Sequence, residues 1–306
     1  MPSLKQLRYL VALDEERNFR RAAERCHVTQ PTLSAQLKEL ERQLGATLVE
    51  RSRAHVLITP LGRAVCTRAR RALREVDEIR ALVAQAGRPL QSTIRTGVVQ
   101  TLGSYLLPLI VPELHESHPR LKLYMREGLP DFLLGALSDG TLDLLFVPLP
   151  VRQADLETLS IFREPIAVVM PHDHRFADLA AIAPEALRGE TILALEPGHK
   201  LYDQVRRICD QSGAELSRDY EGTSLDTLRQ MVAMGMGLSL MPALYIKSEV
   251  AHQDIVVSRP FAGPPPARTI GMVWRRGTAR EAEFRALADQ ICAILRRQAP
   301  EVVVLG

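Results

Sequence analysis

No stretch of the 306-residue sequence approaches the roughly 18 consecutive apolar residues that a membrane span requires. Near the start, the run MPSLKQLRYLVALDEERNFRRA is broken by Asp14, Glu15 and Glu16, so the long apolar region of a secretory signal is missing. Cysteine is scarce. Cys26, Cys66, Cys209 and Cys292 lie far apart with no CxxC pair, which argues against a zinc site and against a disulfide framework. No GxGxxG turn, metal-ligand cluster or nucleophile–base–orienter set is present either, which argues against an enzyme and leaves no cofactor to expect. These absences point to a cytoplasmic chain with no membrane partner.

What is present is ordinary globular composition, with 46% hydrophobic and 25% charged residues. The length suits about two globular units with sizeable cores. Charge is unevenly spread: residues 1–90 hold 17 Lys+Arg against 10 Asp+Glu, and 91–306 hold 22 against 26. A basic third joined to an acidic remainder fits a chain whose one end meets a polyanion, although a solvated basic surface reads the same way.

Apolar residues at Leu4, Leu7, Tyr9, Leu10, Val11 and Leu13 predict a helix with one buried face. Asn18 is placed to cap a short helix over Phe19 to Cys26, in which small Ala22 and Ala23 admit a close neighbour. After a turn at His27-Val28, Thr29 is a good N-cap, Pro31 fits the first helical turn, and Leu33, Leu37, Leu40 and Leu44 recur at helical steps until Gly45. This is helix-turn-helix geometry, whose second helix enters the major groove. Its polar face carries Thr29, Gln30, Pro31, Thr32, Ser34, Gln36 and Lys38, side chains that suit base edges and phosphates. Arg51, Arg53 and His55 precede Val56-Leu57-Ile58-Thr59, where a two-stranded wing would hold cations beside the DNA backbone. An ordinary solvated helix face beside a charged turn is the alternative.

The residues go beyond the generic pattern. Phe19-x-x-Ala22-Ala23, Cys26-x-x-Thr29-Gln30-Pro31-Thr32-Leu33-Ser34, Leu37-x-x-Leu40-Glu41-x-x-Leu44-Gly45-x-x-Leu48, Arg51 and Thr59-Pro60-x-Gly62 together resemble the signature of LysR-type transcriptional regulators. The resemblance implies a winged helix-turn-helix over 1–60 that reads double-stranded promoter DNA. Cys26 stands where Leu is usual and Val49 where Phe is usual, both apolar core replacements.

A long helix should follow Pro60 to about Ala86, with Val65, Ala69, Ala72, Val76, Ile79 and Val83 spaced four, three, four, three, four. That is a coiled-coil seam. Packing on its own domain is one outlet for it; self-pairing is the other and matches two reading heads to an inverted repeat. The resemblance makes 61–88 a dimerisation linker, with Val65, Ala72, Val76, Ile79 and Val83 at the contact, in a homodimer that pairs again into a homotetramer.

Gly87-Arg88-Pro89 should break that helix. Beyond it, strand and helix signals alternate: strands at Ile94–Val99, Leu121–Arg126, Leu142–Pro148, Glu157–Phe162, Pro165–Met170, Thr191–Leu195, Leu238–Met241 and Arg268–Trp274, with helices at Leu102–His115, Phe132–Ser138, Leu201–Gln211, Leu225–Met234 and Ala279–Gln298. The alternation predicts largely parallel α/β sheets. The whole is α+β multidomain, with an effector domain over 92–302 divided into subdomain I (92–163 and 268–302) and subdomain II (164–267). It resembles the LysR effector domain and, more distantly, periplasmic solute-binding proteins. Ligand is expected in the cleft between the subdomains. Thr101, Leu102 and Gly103 open a helix whose free amides favour an anion. Pro130, His199, Lys200, Thr223 and Arg268 complete the expected cleft.

Tyr105-Leu106-Leu107-Pro108, Gly198-His199, Asp203-Gln204, Cys209, Thr223-Ser224-Leu225, Thr227-Leu228-Arg229, Met231-Val232-Ala233 and Arg268-Thr269-Ile270-Gly271 are similar to the hydrogen-peroxide-sensing OxyR subgroup. That resemblance implies a peroxidatic cysteine directly after Gly-His and a disulfide from it to a cysteine aligned with Cys209. Here the position holds Lys200, which cannot form a sulfenic acid, and Pro130 stands where Thr is common. The disulfide switch is therefore expected to be absent or disabled. Lys200 reads either as a cation for a small anionic ligand or as a solvent-facing lysine. Cys209 stands as a one-cysteine redox candidate against an inert buried thiol, and His199 as a structural histidine against a ligand. A constitutive or one-cysteine regulator of oxidative-stress genes is the alternative to effector control. RNA polymerase is a further partner, and the nucleoid the expected location.

Overall fold

The computed structural model describes residues 1–51, 56–84, 90–251 and 255–306. The chain forms two compact units: residues 1–87 with 138–141, and residues 88–137 with 142–306.

In the first unit, α1 (Leu4–Glu16) starts at a capping box, in which the Ser3 hydroxyl accepts from the Gln6 amide and the Gln6 side chain accepts from the Ser3 amide. α2 (Phe19–Arg25) is capped by Asn18, and α3 (Gln30–Leu44) by Thr29, with Gly45 ending it at φ +63°. Strands β1 (Val49–Arg51) and β2 (Val56–Ile58) pair antiparallel as the expected wing. α4 (Pro60–Ala84) follows. Its end, placed by sequence near Ala86, and the break at Gly87-Arg88-Pro89 lie outside the described residues. Tyr9, Leu10, Leu13, Ala22, Ala23, Leu33, Leu37, Leu40 and Cys66 form one core. The small alanines of α2 are fully buried there, which is what lets three helices meet at short range.

The second unit contains β3 (Thr93–Val99), α5 (Gly103–Ser117), β4 (Lys122–Gly128), α6 (Pro130–Asp139), β5 (Leu144–Pro148) and β6 (Leu156–Pro171). After a 3₁₀ turn come β7 (Thr191–Leu195), α7 (Lys200–Ser212), β8 (Glu215–Gly222), α8 (Leu225–Ala233) and β9 (Leu238–Pro242). A short α9 (Ala243–Tyr245), β10 (Val256–Arg259), β11 (Ala267–Arg275), α10 (Glu281–Gln298) and β12 (Val303–Val304) finish it.

The strands run in the order β4-β3-β5-β11-β6-β9-β7-β8, with β10 and β12 also on β6. This corrects the largely parallel expectation. β3 is parallel to β4 and β5, and β7 to β8 and β9, but every pairing of β6 and β11 is antiparallel. The outer strands are joined through helices, which favours parallel neighbours; β11 instead lies between β5 and β6 and runs opposite to both. The two strands expected at Glu157–Phe162 and Pro165–Met170 are one. The first half of β6 pairs with β11 and lies in a core with Phe146, Trp274 and Phe284; its second half pairs with β9 and β10 in a core with Leu193, Val205 and Tyr245. Strands β6 and β11 thus join an outer subdomain to an inner one.

Candidate functional site

The α3 surface is built by two constraints. Leu33, Leu37 and Leu40 are fully buried, so the opposite face must be displayed. The Glu41 carboxylate accepts from the amides of Leu48 and Val49 at 2.9 and 3.0 Å, fastening the wing to α3. Thr29, Gln30, Pro31, Thr32 and Lys38 are exposed and Ser34 and Gln36 half-buried, so the structure brings the whole expected set onto one surface. The Thr29 hydroxyl also lies 2.8 Å from that of Thr32. Sequence reading passed over Ala35, exposed within this surface, because alanine announces no chemistry, although its methyl suits the thymine methyl. Arg53 and His55 lie outside the described residues, as does the side chain of Arg51.

Thr59-Pro60-x-Gly62 forms the junction to α4. The Thr59 hydroxyl donates to Thr47 O at 3.0 Å and accepts from the Gly62 amide at 2.9 Å. A Cβ at position 62 would sit 2.2 Å from Leu48 O, so only glycine admits the approach.

The linker seam divides. Val65 packs partly against the core of its own unit and Ala69 is buried, whereas Ala72 and Val76 are half-buried and Ile79 is 61% exposed. The first turns of the expected contact therefore pack within the chain. The side chain of Val83 lies outside the described residues.

In the second unit, Arg268 and Thr101 meet, but in a closed network. Arg268 Nε donates to Glu164 Oε2 at 2.7 Å, and its two other nitrogens reach Thr101 Oγ1 at 2.7 Å and Thr101 O at 2.8 Å. The second oxygen of Glu164 accepts from the Leu244 amide at 2.8 Å. Glu164 is wholly buried, so one carboxylate ties together β6, β11, the β3–α5 turn and α9. Sequence reading missed it; a charged residue inside an otherwise strand-like run was the available signal.

The expected anion site at Leu102 and Gly103 is corrected. The Leu102 amide donates to Val99 O, and the carboxylate of Glu127 lies against Gly103, with Oε1 only 2.2 Å from where a Cβ there would sit. Ser104 Oγ donates to the same oxygen at 3.3 Å. The chain thus supplies its own anion to the α5 N-terminus.

Lys200 is separate from that network. It is exposed at the first position of α7, beside a cavity of about 110 Å³ that Pro130, Pro148, Pro150, Leu134, Asp131 and Arg152 also line. His199, the N-cap, is 4% exposed with Nε2 unpaired, and burial holds its pKa below the usual histidine value. Thr223 is exposed before the Ser224 cap of α8, and no described contact joins it to Lys200. All four cysteines are free thiols. Burial, helped by the charge of Asp210, pushes the Cys209 thiol up to about 11, a poor setting for a peroxide nucleophile. Among the described residues no group of His, Cys, Asp or Glu could hold a metal ion, and no helix is long and apolar enough to cross a membrane.

A winged helix-turn-helix, a long helix and a two-lobed α/β unit are the parts of a DNA-binding regulator. Residues 4–63 match the family described as bacterial regulatory helix-turn-helix protein, lysR family, and residues 87–295 match the LysR substrate binding domain. The chain belongs to the LysR family of DNA-binding transcription regulators, a family of regulators rather than of enzymes. It is similar to the DNA-binding transcriptional dual regulator OxyR of Escherichia coli K12, 40% identical over 291 residues that cover 95% of each chain. A full-length OxyR variant from Pseudomonas aeruginosa has 38% identity and a TM-score of 0.82 over 98% of both chains. A hydrogen-peroxide-bound OxyR mutant from Corynebacterium glutamicum has 28% identity and a TM-score of 0.68, covering 97% of this chain and 93% of that one.

Proposed function

We propose that this regulator works in the cytoplasm, on the nucleoid, as a homodimer that pairs again into a tetramer. Each dimer presents two α3 helices to an inverted repeat, and bound chains act on RNA polymerase. Domains run 1–60 for reading, 61–88 for pairing and 92–302 for control. Thr29, Gln30, Thr32, Ser34, Gln36 and Lys38 face the DNA, with Pro31 setting the first turn and Arg51 and Arg53 on the backbone. Ile79, 61% exposed on a helix whose earlier seam is covered, supports the pairing.

Control runs through a small anion in the effector cleft and not through a peroxide-formed disulfide. The observation that carries this is Lys200: it stands, exposed beside a cavity, where the OxyR resemblance expects a thiol, and Cys209 is left buried with a raised pKa. Footprinting with and without hydrogen peroxide tests it. One pattern of inverted half-sites in both conditions is expected, and a peroxide-dependent change overturns the reading. Gln30→Ala should weaken specific binding by about 1–3 kcal/mol while leaving nonspecific binding intact.

A further inference from the structure

We infer that the cavity beside Lys200 is a site for a short-chain monocarboxylate with an apolar body, a reading that rests on the anion control proposed above and names its ligand class. Size comes first. A dry apolar cavity of 150 Å³ accepts benzene, so about 110 Å³ admits roughly four to six non-hydrogen atoms. The walls supply the second element. Pro130, Pro148 and Pro150 are rigid, lack an amide hydrogen and so offer apolar surface with no backbone donor from those residues. Leu134 and the buried Val147 continue that surface. Polar side chains at the cavity come from Lys200, Arg152, Asp131 and Gln153.

Those side chains carry a charge count. Lys200 and Arg152 are cationic and Asp131 is anionic, leaving one net positive charge around the cavity. One such charge is matched by one carboxylate; a dicarboxylate would bring an excess negative charge beside Asp131. The N-termini of α6 and α7, at Pro130 and Lys200, border the same space and add positive potential. The α7 terminus has no side-chain cap. By contrast, the α5 terminus already holds Glu127, and Thr101 is taken by Arg268. The cavity thus sets net positive charge next to apolar surface. Lys200 on the inner subdomain and Pro130 on the outer one both line the cavity. A ligand bridging them would bias the angle between the two.

Titration calorimetry on the full-length protein tests this, with butyrate as probe and butyramide, butylamine, succinate and inorganic phosphate as comparators. Butyrate alone of these should bind with measurable heat, and Lys200→Ala should weaken it by about tenfold to a hundredfold, as expected for loss of a charged partner. Lys200→Arg should retain most of the affinity. Equal binding of butyramide removes the role of charge, equal binding of phosphate removes the apolar body, and unchanged affinity in Lys200→Ala removes the site; each overturns the inference. The same samples are footprinted on DNA. Specific, peroxide-independent footprints without butyrate binding sink only the ligand class, whereas loss of specific footprints sinks the regulator reading.

Discussion

Replacing Glu164 by Ala is the most demanding test of how the effector unit is held. Glu164 is wholly buried and the Arg268 side chain is 3% exposed, with 2.7 Å between the charged groups. Removing the carboxylate strands the guanidinium, which keeps only its bonds to Thr101, and leaves the Leu244 amide without its acceptor. Breaking one side of a buried ion pair costs about 3–5 kcal/mol, and an orphaned buried amide pushes toward the upper end. Against a typical total of about 5–15 kcal/mol, that is a large share. The sequence contains one tryptophan, Trp274, buried on the same strand as Arg268. Urea unfolding followed by tryptophan emission therefore reports this unit and is silent about the DNA-binding one. Glu164→Gln, which keeps an oxygen for one partner, should lose less, about 1–3 kcal/mol. Glu164→Leu combined with Arg268→Met should cost less than the two changes summed, because no charge is left stranded. A loss below about 1 kcal/mol for Glu164→Ala at unchanged urea dependence, or strict additivity in the double variant, would refute the reasoning.

Three further outcomes follow from the same geometry. Gly62→Ala places a methyl 2.2 Å from Leu48 O and should unfold or loosen the DNA-binding unit by more than about 2 kcal/mol, read by circular dichroism and operator affinity. His199 is buried with a lowered pKa, so the unfolded chain binds the proton more readily; stability should fall as pH drops below about 6.5 and level off below the folded value. His199→Gln should flatten that part of the urea-midpoint profile between pH 7.5 and 5.5, and an unchanged slope would count against it. Finally, thiol labelling of the native protein near neutral pH should reach half-buried Cys26 before Cys66, Cys209 and Cys292, which react only on unfolding, since burial raises the Cys66 and Cys209 thiols to about 12 and about 11. Rapid native labelling of Cys209, detected by peptide mass, would revive a thiol-based signal.

The DNA-binding unit was readable because its rules are local. A capping hydroxyl at Thr29, leucines at helical steps and a terminal glycine at 45 act within one helix. The effector unit obeyed longer-range rules. Strand β8 escaped notice because it is an edge strand reading Glu-Leu-Ser-Arg-Asp-Tyr-Glu-Gly, mostly exposed and without alternation. β6 was split in two because Arg163-Glu164 looks like a loop, and the partner that makes a buried carboxylate tolerable is 104 positions away. The same distance hid the site. Thr101 and Arg268 were both singled out, but that they neutralise each other, and that Glu127 fills the α5 terminus, depends on folding no local pattern encodes.

The two-strand connection between subdomains also governs how the chain can be made. The inner subdomain is assembled from one continuous stretch, closed by its own strands, while the outer core waits for β11 and α10. At about 5–20 residues per second, a ribosome needs roughly 5–20 s to travel from the first half of β6 to the end of β11. Throughout that interval β5, buried along its whole length in the finished protein, has no β11 to cover its open edge. Nascent chains of this regulator therefore carry a half-sheet with an open edge until after the inner lobe is complete, the place where crowded synthesis would first go wrong.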